Sequence, residues 1–173
     1  MLHDTEAEFA AFFTATWARL YRTTHAVAGN RQLAEDSLQS AYAKAYASWR
    51  RVSAADHPEA YVRKMAVNEV LSTRRRAWWK AERTGVAVDS PADRPGEPSP
   101  EARVLDHDAV WAAVRDLPPR QRAVLVLRYY EDLSEREIAE ALGCSTGTVK
   151  SQASAALRSL RRVMEPSSQE EKR

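Results

Sequence analysis

The stretch Ser134-Glu135-Arg136-Glu137-Ile138-Ala139-Glu140-Ala141-Leu142-Gly143-Cys144-Ser145-Thr146-Gly147-Thr148-Val149-Lys150-Ser151 decides how this chain is read. Ser134 answered three residues later by Glu137 is a capping box, which predicts a helix start. The short helix that follows carries Ile138, Ala139 and Leu142 on one side and stops at Gly143. After a tight Gly143-Cys144-Ser145 turn, Ser145 can cap a longer helix whose Val149, Ala153, Ala156, Leu157, Leu160 and Val163 recur at helical spacing. Short helix, tight turn and long helix make the helix-turn-helix plan of DNA-binding domains.

The residues on that second helix suit the task. Ser145, Thr146 and Thr148 place hydroxyls at a helix N-terminus, where free amides and the helix dipole favour a phosphate. Gly147 costs helix stability, so its presence points to close approach by another backbone, DNA being the candidate. Lys150, Ser151, Gln152 and Ser154 take the outward face, and serine, glutamine and lysine can all address base edges or phosphates.

Upstream, Leu117-Pro118-Pro119 ends one helix and starts another. The first of these is expected to open at Ser99-Pro100-Glu101 and to carry Val104, Leu105, Val110, Val114 and Leu117. The second carries Val124, Leu127 and Arg128. The N-terminal half is helical throughout. Phe9, Phe12, Phe13, Trp17, Leu20 and Tyr21 form one apolar face, and Leu38, Ala41, Tyr42, Ala45, Tyr46 and Trp49 form a second. Asp56-His57-Pro58 starts a third helix that runs beyond Arg76 and directs Arg63, Lys64, Asn68 and the Arg74-Arg75-Arg76 triplet outward.

Composition agrees with an all-α protein made of two small helical domains. The 173 residues include only five glycines, against 30 alanines. The single cysteine, Cys144, excludes an intramolecular disulfide framework. The formal net charge of +2 is a cancellation: residues 61–83 carry +5 and residues 84–102 carry −3. That acidic stretch holds four prolines and little apolar surface, so it is expected to be a flexible linker between domain 1–83 and domain 103–165. Residues 166–173 are expected to be a frayed tail. No run approaches the roughly 18 apolar residues of a membrane span, and the N-terminus lacks a basic-then-apolar leader. A cytoplasmic protein without membrane insertion is expected.

On these motifs the chain resembles bacterial sigma factors of the short, two-domain extracytoplasmic-function (ECF) type. Leu117-Pro118-Pro119-Arg120-Gln121-Arg122 and the helix-turn-helix quoted above are similar to the fourth conserved region of that family. Ala34-Glu35-Asp36-Ser37-Leu38-Gln39 resembles its core-polymerase-binding helix, and Tyr61-Val62-Arg63 with Asn68, Arg75 and Arg76 resembles its minus-ten promoter helix. The resemblance implies a transcription initiation subunit whose partners are core RNA polymerase and promoter DNA. Asp36, Leu38, Gln39 and Tyr42 would dock on polymerase, and Arg63, Lys64, Asn68, Arg74, Arg75 and Arg76 would hold the opened minus-ten strand. The loop 50–57 would assist opening, with Trp49 or Tyr61 able to stack on a base or to sit in the core. Ser145, Thr146, Gly147, Thr148, Lys150, Ser151, Gln152 and Ser154 would face the minus-thirty-five element. Relatives commonly carry arginine where this chain has Gln152, Ala155 and Leu157, and often aspartate where it has Ser72, which implies weaker DNA binding and a different target sequence. Many relatives are held by an anti-sigma factor, but no residue here identifies one.

Other function classes fit less well. A response regulator shares the helix-turn-helix, but its receiver needs strands that residues 1–83 do not suggest. A transcriptional regulator acting without polymerase, or a helical adaptor, explains only part of the pattern. His3, His25, His57, His107 and Cys144 have neither metal-ligand spacing nor a catalytic companion, so no metal, cofactor or catalytic residue is expected.

Overall fold

A computed structural model describes residues 2–84 and 109–164. Apart from Thr84, the expected linker 84–102 lies outside the described residues, as do the first residues of the C-terminal half and the expected tail 166–173. Among the described residues there are helices and turns and no strand, as the composition implies.

Four helices build the N-terminal half: α1 (Leu2–Ala28), α2 (Arg31–Ala47), the short α3 (Trp49–Ser53) and α4 (Pro58–Thr84). The periodic aromatics of α1 and α2 meet. Phe9 and Phe12 lie 5.2 and 5.0 Å from Trp49, and Phe13 lies 4.8 Å from Tyr42. Rings at these separations add to the apolar area they bury. The Tyr42 hydroxyl shares a 2.7 Å hydrogen bond with Thr16, which satisfies both polar groups inside the bundle. Gly29, at φ +77°, closes α1, and the Asn30 side chain accepts from the Leu33 amide to open α2.

The C-terminal half holds α5 (Ala109–Arg115), α6 (Pro119–Leu125), a π-helical turn (Val126–Tyr130), α7 (Glu135–Leu142) and α8 (Thr146–Met164). The capping box is formed: Ser134 Oγ accepts from the Glu137 amide, and the Glu137 carboxylate accepts from the Ser134 amide at 2.8 Å. Gly143 adopts the left-handed conformation, φ +62°, that ends α7 ahead of the turn into α8.

The two helical units are present, but they are not independent bodies in this structure, because they share a core. Leu20, Val27 and Val67 from the N-terminal half belong to the same buried cluster as Val124, Leu127, Ile138 and Val149. Neither half covers its own apolar surface completely, so the remainder of each is buried against the other. Arg122 is trapped in the seam, 4% exposed, donating to the carbonyls of Ala28 (3.3 Å) and Leu117 (3.2 Å). A Cβ at residue 29 would stand 1.9 Å from Arg122 Nη1, so a larger residue there would push that guanidinium aside as well as strain the backbone at φ +77°.

Candidate nucleic-acid interface

The helix-turn-helix presents its expected face to solvent. Val149, Ala153 and Ala156 are buried, while Ser145, Thr146, Gly147, Lys150, Ser151 and Ser154 are exposed and Thr148 and Gln152 half-buried. Several of these side chains already have partners. Ser145 Oγ accepts from the Thr148 amide at 3.1 Å and lies 3.0 Å from the Thr148 hydroxyl, so it serves first as the N-cap. The Ser151 hydroxyl donates to the Thr148 carbonyl at 3.0 Å. Lys150, itself exposed, lies 3.6 Å from a half-buried Glu135. A Cβ on Gly147 would meet only Ser145 Oγ, at 3.7 Å. Among the described residues nothing crowds that position.

The basic helix α4 is arranged differently. Lys64, Arg75 and Arg76 are exposed, but Arg63, Asn68 and Arg74 are half-buried, the first two bonded to the C-terminal half and Arg74 to the end of α1. Arg63 pairs with Glu131 at 2.8 Å, and the two side chains are 13% and 9% exposed. The Asn68 amide donates to the Ala141 carbonyl at 2.7 Å, and Arg74 donates to the Ala28 carbonyl at 2.7 Å. Arg76 reaches the hydroxyls of Ser72 and Thr73 on its own helix.

Beside this seam, α2 and α4 enclose an open cleft of about 440 Å³ lined by Lys44, Tyr61, Lys64, Met65, Asn68 and Ser72, with Glu69 at its wall. Tyr61 is half-buried, with Arg51 5.9 Å above its ring. Trp49, by contrast, is a core residue whose indole donates to Glu8 at 3.1 Å. Of the two stacking candidates, only Tyr61 is placed to meet a base. The Lys44 ammonium, hydrogen-bonded to Glu69, holds that carboxyl below its usual range against the opposing effect of partial burial, and Arg76 assists. The segment expected as the loop 50–57 is largely the short helix α3 and the turn after it.

The α2 residues expected to dock divide in two. Asp36 and Gln39 are exposed, and Asp36 accepts from Gln32 one turn earlier at 2.9 Å. Leu38 and Tyr42, 0% and 3% exposed, are core residues and, contrary to the expectation from sequence, offer no surface for docking. They lie on the inward stripe with Ala34, Ala41 and Ala45, and a helix cannot bury a stripe and offer it to a partner at once. Burial pushes the Tyr42 phenol up, partly countered by its hydrogen bond to Thr16.

Two features are not anticipated from the sequence. Trp78 and Trp79 project from the basic end of α4, 57% and 53% exposed, with rings 4.9 Å apart. Two tryptophans inside a run of arginines and lysines are a legible signal, since aromatics among cations suit single-stranded nucleic acid. Glu131 and Thr23, which meet across the seam, leave no such mark. Among the described residues no cluster of histidine, cysteine and carboxylates is placed to hold a metal ion, and no helix is long and apolar enough to cross a membrane.

Comparison with known proteins agrees with this geometry. Residues 12–80 match the family model for sigma-70 region 2, and residues 107–160 match that for sigma-70 region 4. The chain is 34% identical over 165 residues to an RNA polymerase sigma-E factor of Streptomyces antibioticus, covering 91% of this chain and 85% of that protein. It is 32% identical over 155 residues to the RNA polymerase sigma-E factor of Streptomyces coelicolor, covering 89% of this chain and 84% of the relative. Its fold is similar, at a TM-score of 0.70 and 23% identity, to the sigma factor RpoE of Bartonella quintana, solved in complex with the anti-sigma factor NepR, with 92% of this chain and 98% of that chain covered.

Proposed function

This chain belongs to the ECF sigma factors of the sigma-70 family, and on that premise we propose how its surfaces share the work of transcription initiation. As a sigma factor it serves core RNA polymerase, directing the enzyme to promoters and assisting DNA opening. The polymerase supplies the chemistry, and this chain supplies recognition. Its place of action is the cytoplasm, where polymerase and promoter meet.

In this reading, α2 docks on polymerase through Asp36 and Gln39. A carboxylate and an amide one turn apart, both exposed, offer directed and charge-assisted hydrogen bonds to a basic partner surface. The α8 face from Ser145 to Ser154 enters the major groove at the upstream promoter element, with Lys150 exchanging Glu135 for a phosphate or a guanine. The α4 surface receives the opened strand. Arg63, Lys64, Arg74, Arg75 and Arg76 neutralise phosphates, Asn68 and Tyr61 frame the cleft for an unstacked base, and Trp78 and Trp79 extend the stacking surface.

The observation that carries the reading is the coexistence, on one chain, of an outward polar helix-turn-helix face and a separate basic helix beside an aromatic cleft. A regulator that only binds duplex DNA needs the first and has no use for the second. An anti-sigma factor, the kind of partner carried by the RpoE structure, is a further partner in this reading and would compete for surfaces that polymerase uses. Run-off transcription with core polymerase plus this protein on genomic fragments tests the function. Discrete transcripts that depend on the chain are expected. Binding to fragments with no transcripts would mark a polymerase-independent regulator instead.

A further inference from the structure

We propose that the cleft between α4, the start of α6 and the end of α7 is a binding site for a free nucleotide, a nucleoside di- or triphosphate. The cleft holds about 660 Å³, within the roughly 300–1,000 Å³ of small-molecule sites. It adjoins the cleft between α2 and α4, sharing Asn68 and Ser72 with it, and differs from it in charge. The α2–α4 cleft sets Glu69 against Lys44 and Lys64, and Glu69 pairs with Lys44. This one is lined by Arg74, Arg75 and Arg120 and, among the described residues, by no carboxylate. Three guanidiniums around one concave space repel one another unless an anion lies between them. A chain of phosphates answers that charge better than a single one.

Each part of a nucleotide finds a fitting partner there. Arg120, in the first turn of α6, donates from Nη2 to the Leu142 carbonyl at 3.3 Å, which anchors its guanidinium at the cleft wall. A guanidinium fork can hold that carbonyl and a phosphate together. Arg74 is anchored in the same way on the Ala28 carbonyl at 2.7 Å, and Arg75 is exposed. Trp78 lines the cleft while 57% exposed, so much of its indole is open for a base to stack on. Trp79 meets it edge-on at 4.9 Å and braces the ring. Leu71, Pro119 and Leu142 supply the apolar part of the lining. Because α4 belongs to one half and α6 and α7 to the other, a ligand held by both stabilises their contact by its own binding free energy. Arg74, Arg75 and Trp78 also belong to the surface proposed for the opened strand. On that reading, nucleotide and strand exclude each other, and a free nucleotide regulates strand capture.

The test titrates the full chain, without polymerase, into mant-ATP, a nucleoside triphosphate with a fluorescent group on its ribose, and reads anisotropy. Saturable binding by the unaltered chain is expected. Arg120→Ala removes a cation of the cleft that the strand reading does not use, and it should weaken binding about tenfold. Trp78→Ala should weaken it about tenfold as well, through lost stacking. Arg136→Ala deletes an exposed charge on α7 that faces Glu140 instead, and it should leave binding unchanged. Unlabelled ATP should displace the probe. Inorganic triphosphate alone and adenosine alone should do so at least about tenfold less well, because each lacks either the stacking or the charge. Circular dichroism checks helicity, and if Arg120→Ala loses helix content, Trp78→Ala decides the outcome. No saturable binding, binding unmoved in both cleft variants, equal loss in Arg136→Ala, or full displacement by triphosphate alone overturns the site. Binding of oligothymidylate without binding of mant-ATP assigns the cleft to the strand and overturns it too. Run-off transcription separates the two ideas: transcripts from a chain that binds no nucleotide defeat the site alone, whereas nucleotide binding by a chain that yields no transcripts defeats the sigma reading alone.

Discussion

The two faces proposed for nucleic acid differ both in composition, hydroxyls and one lysine on α8 against arginines and lysines on α4, and in how the fold presents them. The α8 face is open, its serines and Lys150 held by exposed contacts within its own half. The α4 face is partly closed, with Arg63, Asn68 and Arg74 bonded across the seam or against it. What separates them is the apolar surface behind. α8 packs on α5, α6 and α7 of its own half, although Val149 and Ala153 join the shared core, whereas α4 packs on α1 and α2 and also on α6 and α7 of the other half. A net charge near zero therefore conceals a basic α4, part of whose charge is paired within the fold.

The sharpest way to break that contrast is to attack the shared core. Leu127→Ala removes a fully buried side chain and should cost about 2–5 kcal/mol. Because the core is continuous, calorimetry should show one transition moving down in temperature. Two separate transitions, with only one displaced, would mean that the halves fold independently and that α4 is covered only in passing.

Next in size is the docking surface. Asp36→Lys reverses an exposed charge on α2 and should weaken association with core polymerase by at least about 2 kcal/mol, enough to end co-purification. Circular dichroism should show no loss of helix. Survival of the complex would remove Asp36 from the interface. A smaller effect is expected on the open face, where Lys150→Ala should weaken promoter binding by about 1 kcal/mol and lower the salt slope by about one. An unaltered slope would show that Lys150 stays with Glu135 and touches no phosphate.

The smallest effect concerns acid. The Ser134 hydroxyl and amide hold the Glu137 carboxyl below its usual range, and Lys44 does the same for Glu69. A carboxyl lowered by folding stabilises the fold above its unfolded value, here near 4.5, and loses that contribution as pH falls through the folded value. Melting temperature should therefore fall as pH drops from neutral to below about 4.5. Ser134→Ala should make that fall shallower. An identical pH profile would leave the capping box without a part in the acid response.

Local rules make most of the fold legible. The capping box, the Gly143 turn, the Pro58 and Pro119 starts and the aromatic stripes are all written in spacings of a few residues, and helices obey such spacings. The burial of Leu38 and Tyr42 is legible in principle too, because the stripe that packs α2 already claims both. Asp36 and Gln39 fall off that stripe, and the structure leaves them exposed. The meeting of Arg63 with Glu131 is not legible, since 68 residues separate them and no periodicity links positions in different halves. Arg122 under Gly29 is the same kind of contact: each residue looks ordinary alone, and only the packed seam explains both.

The central proposal is a sigma factor that offers duplex DNA the α8 face and takes the opened strand on α4 in the presence of polymerase. Footprinting on a promoter fragment chosen by run-off transcription tests this most directly, with nuclease reading protection and permanganate reading unpaired thymines. The free chain should protect at most the upstream element, weakly, and expose no thymine. Core polymerase plus the chain should protect both elements and expose thymines at the downstream one. Downstream protection by the free chain, or a polymerase complex that opens no DNA, would contradict it.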